Sequence, residues 1–311
     1  MNILITGGAG YIGSILTPLL LASGHRVTVI DNYKYNQSSL STLFLDKNFS
    51  LIKEDCRNIN ILENIIKEFD IIIPLAAYVG APLCNKDPWA ASSINKDSII
   101  SLFNILSKNQ LVIMPTTNSA YGSGNKNNYC DENSQLNPLS LYAKEKVEIE
   151  KILMERQNSI SFRLATVFGM SPRMRLDLLV NDFTFKALNE KSIVLFESHF
   201  KRNFIHVQDV AGVFKLAIDN PKKFVGEIFN VGLSDANLSK YELCELIKKF
   251  LPDFEIYKSN TGKDPDQRNY LVSNEKIEKK GFKPAISIEE GIKELIQGLK
   301  IFNTKPYTNL H

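Results

Sequence analysis

An α/β fold built on a doubly wound parallel sheet is predicted by three observations. The opening run MNILITGGAGYIG puts a short apolar strand directly before Gly7, Gly10 and Gly13, three residues apart. Apolar strand-like runs then alternate with helical patterns: Asn2 to Thr6, Arg26 to Ile30, Phe49 to Lys53, Ile71 to Leu75, Leu111 to Pro115 and Ile160 to Ala165. Strands without a polar face are buried on both sides, which means a parallel sheet with helices over each face. After about residue 170 the pattern changes to shorter strands and helices among loops rich in Arg, Asp and Asn, with no Pro/Gly/Ser linker. The chain therefore divides into a first unit over residues 1–169 and a smaller α/β substrate-binding lobe over 170–311. Some elements of the lobe return to the first unit.

In chain order, the first strand and its glycines form a site for a dinucleotide pyrophosphate. The glycines allow a tight turn, close approach of backbone to phosphate and packing of the next helix, whose N-terminal amides face the anion. Tyr11 and Ile12 belong to the same turn. The second strand follows at βαβ distance and ends in Asp31, with Asn32 beside it. A carboxylate there accepts from the adenosine ribose hydroxyls and repels a 2′-phosphate, so this Rossmann-type unit is expected to bind NAD rather than NADP. Lys34 is the one nearby cation.

Composition agrees with a cytoplasmic enzyme and excludes several alternatives. At 44% apolar residues the 311-residue chain can build a full core. Four scattered cysteines and no C-x-x-C pair give neither a disulfide framework nor a zinc site, and the histidines have no ligand spacing, so no metal is expected. Cys84 has no histidine near it in sequence and reads as a packing residue, and His206 reads as structural. The net charge of +3 is too small to argue for nucleic acid, and no apolar run approaches membrane-spanning length.

The second decisive pattern is Tyr142-Ala-Lys-Glu-Lys146 in a helix expected from about Leu139 to Gln157, with Asn137-Pro138 as its start signal. Residues four apart share one helix face. An ammonium beside a phenol lowers the phenol's pKa, so Tyr142 can act as general base while Lys146 also holds the nicotinamide ribose.

With these motifs the chain resembles the extended short-chain dehydrogenase/reductase family of nucleotide-sugar enzymes along most of its length. That resemblance implies adenine contacts at Asp55 and Cys56, a cofactor-lining strand end at Leu75, Ala76 and Ala77, and a mid-helix asparagine at Asn95. It places Thr117, in Pro115-Thr-Thr-Asn-Ser-Ala-Tyr-Gly122, at the catalytic Ser/Thr, and makes Arg163-Leu-Ala-Thr-Val-Phe-Gly169 line both ligands. Substrate contacts are implied for Val79, Asn118, Ser119, Thr166, Arg173, Arg175, Asn181, Arg202, Asp266 and Arg268. Of these, Asn181 and Arg202 would hold the diphosphate, and Asp266 and Arg268 the ribose; guanidinium suits bidentate phosphate contact. Pro74 stands where the family usually has histidine. The resemblance also implies a homodimer through a four-helix bundle, built by the helix from about Pro88 to Ser107 and the Tyr142 helix.

The residues after Thr117 narrow the chemistry. Dehydratase and decarboxylase branches of the family carry a glutamate there, and the branch making GDP-fucose a cysteine; here stand Asn118 and Ser119. What remains is hydride removal at one carbinol, read as C4. The product is either an inverted sugar, through a C4-epimerase of UDP-hexose type, or a released ketone, through a dehydrogenase. The runs Ala76 to Cys84 and Phe168 to Asp177 resemble the branch that oxidises GDP-linked manno-heptose at C4 in bacterial capsule synthesis, so a GDP-linked sugar is favoured. The alternative from another class is an NAD-binding protein without catalysis, against which the intact Thr117, Tyr142 and Lys146 argue.

Overall fold

The computed structural model describes residues 1–123, 129–259, 261–262 and 267–302. Its main sheet has seven strands: β1 (Asn2–Thr6), β2 (Arg26–Asp31), β3 (Phe49–Lys53), β4 (Ile71–Pro74), β5 (Leu111–Thr117), β6 (Ser159–Leu164) and β7 (Glu227–Val231). They pair in parallel in the order β7-β6-β5-β4-β1-β2-β3. The winding reverses between β1 and β4, and the crevice at the carboxyl ends of those two strands is where this topology holds ligands. The first six strands fall where the apolar runs put them, within two residues. The seventh comes from the C-terminal half and pairs with β6 from Glu227↔Ile160 to Val231↔Leu164.

Side-chain alternation explains why both faces are covered. Ile3 and Ile5 pack with Leu16 and Leu20 of α1 (Gly13–Ala22) and Phe214 of the helix Val207–Asp219. Leu4, one residue out of phase, packs into a second core with Leu102 of α2 (Ser98–Ile105) and Ile149 and Leu153 of α3 (Leu141–Met154). Each such fully buried aliphatic contributes about 1.5–3 kcal/mol. The sheet is tied to α3 by a buried pair, Arg163 on β6 with Glu150 on α3, at 2.6 Å, whose carboxylate also accepts from Thr116 and Ser161.

Two helix boundaries differ from the sequence expectation. The stretch from Pro88 to Ser107 is three pieces: Pro88–Ser92, a wide π-type turn over Ser93–Asp97, and α2. The wide turn turns Asn95 inward, where its amide accepts from the Tyr78 N–H at 2.8 Å and donates to the Tyr78 carbonyl at 2.9 Å. Helix α3 is shorter than Leu139 to Gln157 and does not start on Asn137-Pro138. Ser140 caps it, its Oγ accepting from the Ala143 N–H at 3.2 Å.

Smaller sheets complete the fold. Thr166–Phe168, Lys201–His206 and Asn237–Ser239 form one, with Phe204 beside Thr166 in register. Ser192–Phe196 pairs with Glu255–Ser259, and Tyr129–Cys130 with Leu271–Val272. These elements bring Thr166, Arg202 and the segment 267–270 to the mouth of the crevice.

Candidate active site

A cavity of about 920 Å³ opens at the carboxyl ends of β1 and β4 and runs to the N-terminal turn of α3. At one end the glycine-rich turn forms its floor. Gly7 has φ of +72°, and a Cβ on it would stand 2.5 Å from the Ala76 N, so only glycine fits between β1 and the end of β4. A Cβ on Gly13 would meet the Gly8 carbonyl oxygen at 2.5 Å. Helix α1 has no side-chain cap at Ile12 and no acid in its first turn, which leaves its leading amides available to an anion.

Asp31 closes this end. Its carboxylate accepts from the Ala9 and Tyr33 N–H groups at 3.0 and 2.9 Å, so its position is set by the turn it faces. Burial pushes its carboxyl above the usual range, and these bonds pull it back. Lys34 is not aimed at Asp31; its ammonium donates to the Tyr78 hydroxyl and lies over that ring. Asn32 donates to Asp55, which Arg57 holds down to about 2. Burial pushes the Cys56 thiol up to about 11. Leu75, Ala76, Ala77 and Val79 line the wall, with Tyr11 and Gly10.

At the other end Thr117, Ser119, Tyr142 and Lys146 face the same cavity. Thr117 closes β5, and its Oγ1 lies 2.9 Å from Ser119 Oγ and accepts from the Ser119 N–H at 3.1 Å. The Tyr142 phenol is not lowered as the Tyr-Lys spacing predicts. Burial pushes it up to about 12, and the cations that pull it down are Arg175 and Arg268. Lys146 is brought down to about 8 by burial; its ammonium donates to the Pro115 carbonyl at 3.4 Å. Lysine four residues on thus shares the helix face, but burial and not the lysine sets the phenol in the chain alone.

Most of the sugar-side residues named from sequence meet here. Thr166, Arg173, Arg175, Arg202 and Arg268 line the cavity. Arg175 is paired with Asp177 at 2.5 Å, the Arg173 guanidinium lies 4.5 Å over the Tyr35 ring, and Arg202 lies 5.7 Å over Tyr270. Arg268 reaches Ser119 Oγ, beside Thr117.

Others do not reach the cavity. Asn95 holds the Tyr78 backbone, and Arg163 is consumed by Glu150. Asn118 is 1% exposed, with no hydrogen-bond partner for its amide among the described residues. Asn181 is fully buried and ties the Gly169 N–H, the Arg175 carbonyl and the Tyr11 hydroxyl together. Asp266 lies outside the described residues. His206 is structural as expected, its ring nitrogen 2.7 Å from Glu294. The sequence reading missed Tyr35, Tyr78, Asp177 and Tyr270. Of these only Asp177, two residues after Arg175, carried a visible signal.

The residues present fit a dinucleotide: a glycine cradle, open helix amides and an anchored ribose carboxylate lie along one wall. The model of the NAD dependent epimerase/dehydratase family matches residues 3–232, and the chain belongs to that family. Its cofactor is NAD. The chain is 30% identical to an uncharacterised protein of Methanocaldococcus jannaschii over 94% of each chain. It is 26% identical to a putative UDP-glucose 4-epimerase of the same organism, over 96% of this chain and 98% of that one. Among solved structures, the UDP-glucose 4-epimerase of Thermus thermophilus in complex with NAD superposes with a TM-score of 0.83, at 22% identity over 96% and 99% of the two chains. It shares the fold.

Proposed function

We propose that the protein oxidises a nucleotide-linked sugar at C4, with GDP-D-glycero-α-D-manno-heptose as the favoured substrate and the 4-keto sugar as product. The observation that carries the reading is the turn after Thr117, where Ser119 faces the cavity and, among the described residues, no carboxylate is hydrogen-bonded to it. Two acids of the C-terminal half line the cavity among the described residues, Asp177 bound to Arg175 and Asp182 to Lys186 at 2.8 Å. Among the described residues no free carboxylate stands at the turn to remove a C5 proton, and loss of water is not expected.

In this reading Tyr142 takes the proton of the C4 hydroxyl while Thr117 holds the same oxygen. Arg175 and Arg268 bring positive charge toward the phenol, which burial otherwise keeps protonated at neutral pH. NAD, when bound, supplies the hydride acceptor and one further positive charge. Arg202 and Arg173 anchor the diphosphate, so that binding energy from the nucleotide orients the sugar. Residues 170–311 act as the substrate lobe. A second copy of the chain packs on α3 and the helix Pro88–Ser92, a reading supported by Trp89, 77% exposed there. Light scattering at micromolar concentration tests the dimer.

A C4-epimerase is the second reading, favoured by the epimerase names among the relatives. It uses the same residues and differs in returning the hydride to the other face of the ketone. Mass and NMR of the product after incubation with GDP-heptose and with UDP-hexoses test both.

A further inference from the structure

We propose that Arg268 is a positioning residue that sets the hydroxyl of Thr117 by way of Ser119, so that the C-terminal half of the chain completes the catalytic turn. The inference rests on the C4-oxidation reading for its kinetic consequence and on geometry for its existence. Arg268 Nη1 donates to Ser119 Oγ across 149 residues of sequence. An arginine has five donors and no acceptor, so Ser119 must accept on that side. The Thr117 hydroxyl donates to Ser119 Oγ at 2.9 Å and accepts from the Ser119 N–H at 3.1 Å. Thr117 is thereby held through two of the three valences of its hydroxyl. In this arrangement the Thr117 proton is spent on Ser119; to donate to a sugar oxygen the pair must reverse, Ser119 turning its own proton onto Thr117 Oγ1 while it accepts from Arg268.

The segment that carries Arg268 is itself fixed at both sides. The Asn269 N–H donates to the Gly122 carbonyl at 3.2 Å, at the end of the turn that begins with Thr117. The Lys201 N–H donates to Asn269 Oδ1 at 2.9 Å, on the strand of Arg202. Tyr270 continues the stitch, its N–H donating to the Lys201 carbonyl at 3.4 Å and its ring lying under Arg202. The strand proposed to anchor the diphosphate and the turn that holds the reacting oxygen are thus joined through three consecutive residues. Ser119 and Thr117 are 3% and 8% exposed, so water competes little for these bonds.

Two arms test this. In a crystal structure of the Arg268→Met chain, the proposal expects Ser119 to rotate and its 2.9 Å contact with Thr117 to open. An unchanged pair overturns it, whatever the protein's substrate. In single-turnover reduction of bound NAD by GDP-heptose, Ser119→Ala is expected to slow the step by ~10–100-fold with KM within about threefold, and Ser119→Thr to restore it. The double variant Ser119→Ala with Arg268→Met is expected to be no slower than the slower single one, because both act through one hydroxyl. Additive losses overturn the proposal. If the wild-type chain reduces no NAD with any nucleotide sugar, the C4-oxidation reading fails, and the crystallographic arm still decides the role of Arg268.

Discussion

The Tyr11 hydroxyl donates to the Gly169 carbonyl at 2.6 Å, joining the glycine-rich turn to the loop that carries Arg173 and Arg175. Asn181 seals the junction, its amide donating to the Tyr11 oxygen at 3.3 Å and to the Arg175 carbonyl at 2.9 Å. Cofactor floor and substrate loop are therefore one hydrogen-bonded unit. Tyr11→Phe leaves the Gly169 carbonyl unpaired and is expected to cost about 1–3 kcal/mol of stability. Denaturant melts check this, and calorimetry is expected to show weakened NAD binding in the same variant.

Cofactor choice follows from Asp31. Affinity for NAD should exceed that for NADP by at least ~10-fold, since a 2′-phosphate meets a carboxylate fixed by two backbone amides while Lys34 is engaged by Tyr78. Titration of the wild-type chain and of Asp31→Ser decides it; the variant should narrow the gap.

Tyr142→Phe should lower turnover by at least ~10²-fold and leave NAD bound, because the cofactor has many contacts and the phenol is the proposed base. The rate of the wild-type step should rise with pH, since the phenol must lose its proton and burial raises its pKa. Flattening well below pH 12 is expected once the ligands bring their charge.

Lys146 carries a stability signature of opposite sign to its catalytic value. Burial lowers its folded pKa to about 8 from an unfolded 10.5, so the unfolded chain binds more protons between those values and stability rises with pH across that window. The penalty below it is on the order of 3 kcal/mol as an upper bound. Lys146→Met should accordingly raise the melting temperature of the ligand-free chain at pH 7, while abolishing turnover.

Much of the fold was legible because its strands are apolar on both faces and its turns are punctuated by glycine. β7 was not, since Glu227 to Val231 is short and its burial depends on a partner 67 residues earlier, from Glu227 to Ile160. Residues that line the crevice through the backbone periodicity of β1, β2 and β4 were readable in the same way. The neighbours of Arg268 and Asn181, Ser119 and Tyr11, were not legible, because tertiary packing sets them. The phenol of Tyr142 shows the same limit: spacing reports a shared helix face, and desolvation is invisible to it.

The central claim is C4 oxidation without elimination, and product analysis after incubation with GDP-D-glycero-α-D-manno-heptose tests it most directly. The account predicts a sugar lighter by two hydrogens, with a ketone carbon at C4 by NMR and NADH formed on the enzyme. Unchanged mass with inverted C4 would assign the epimerase instead, and a product lighter by one water would contradict the argument from Ser119 and the turn around it.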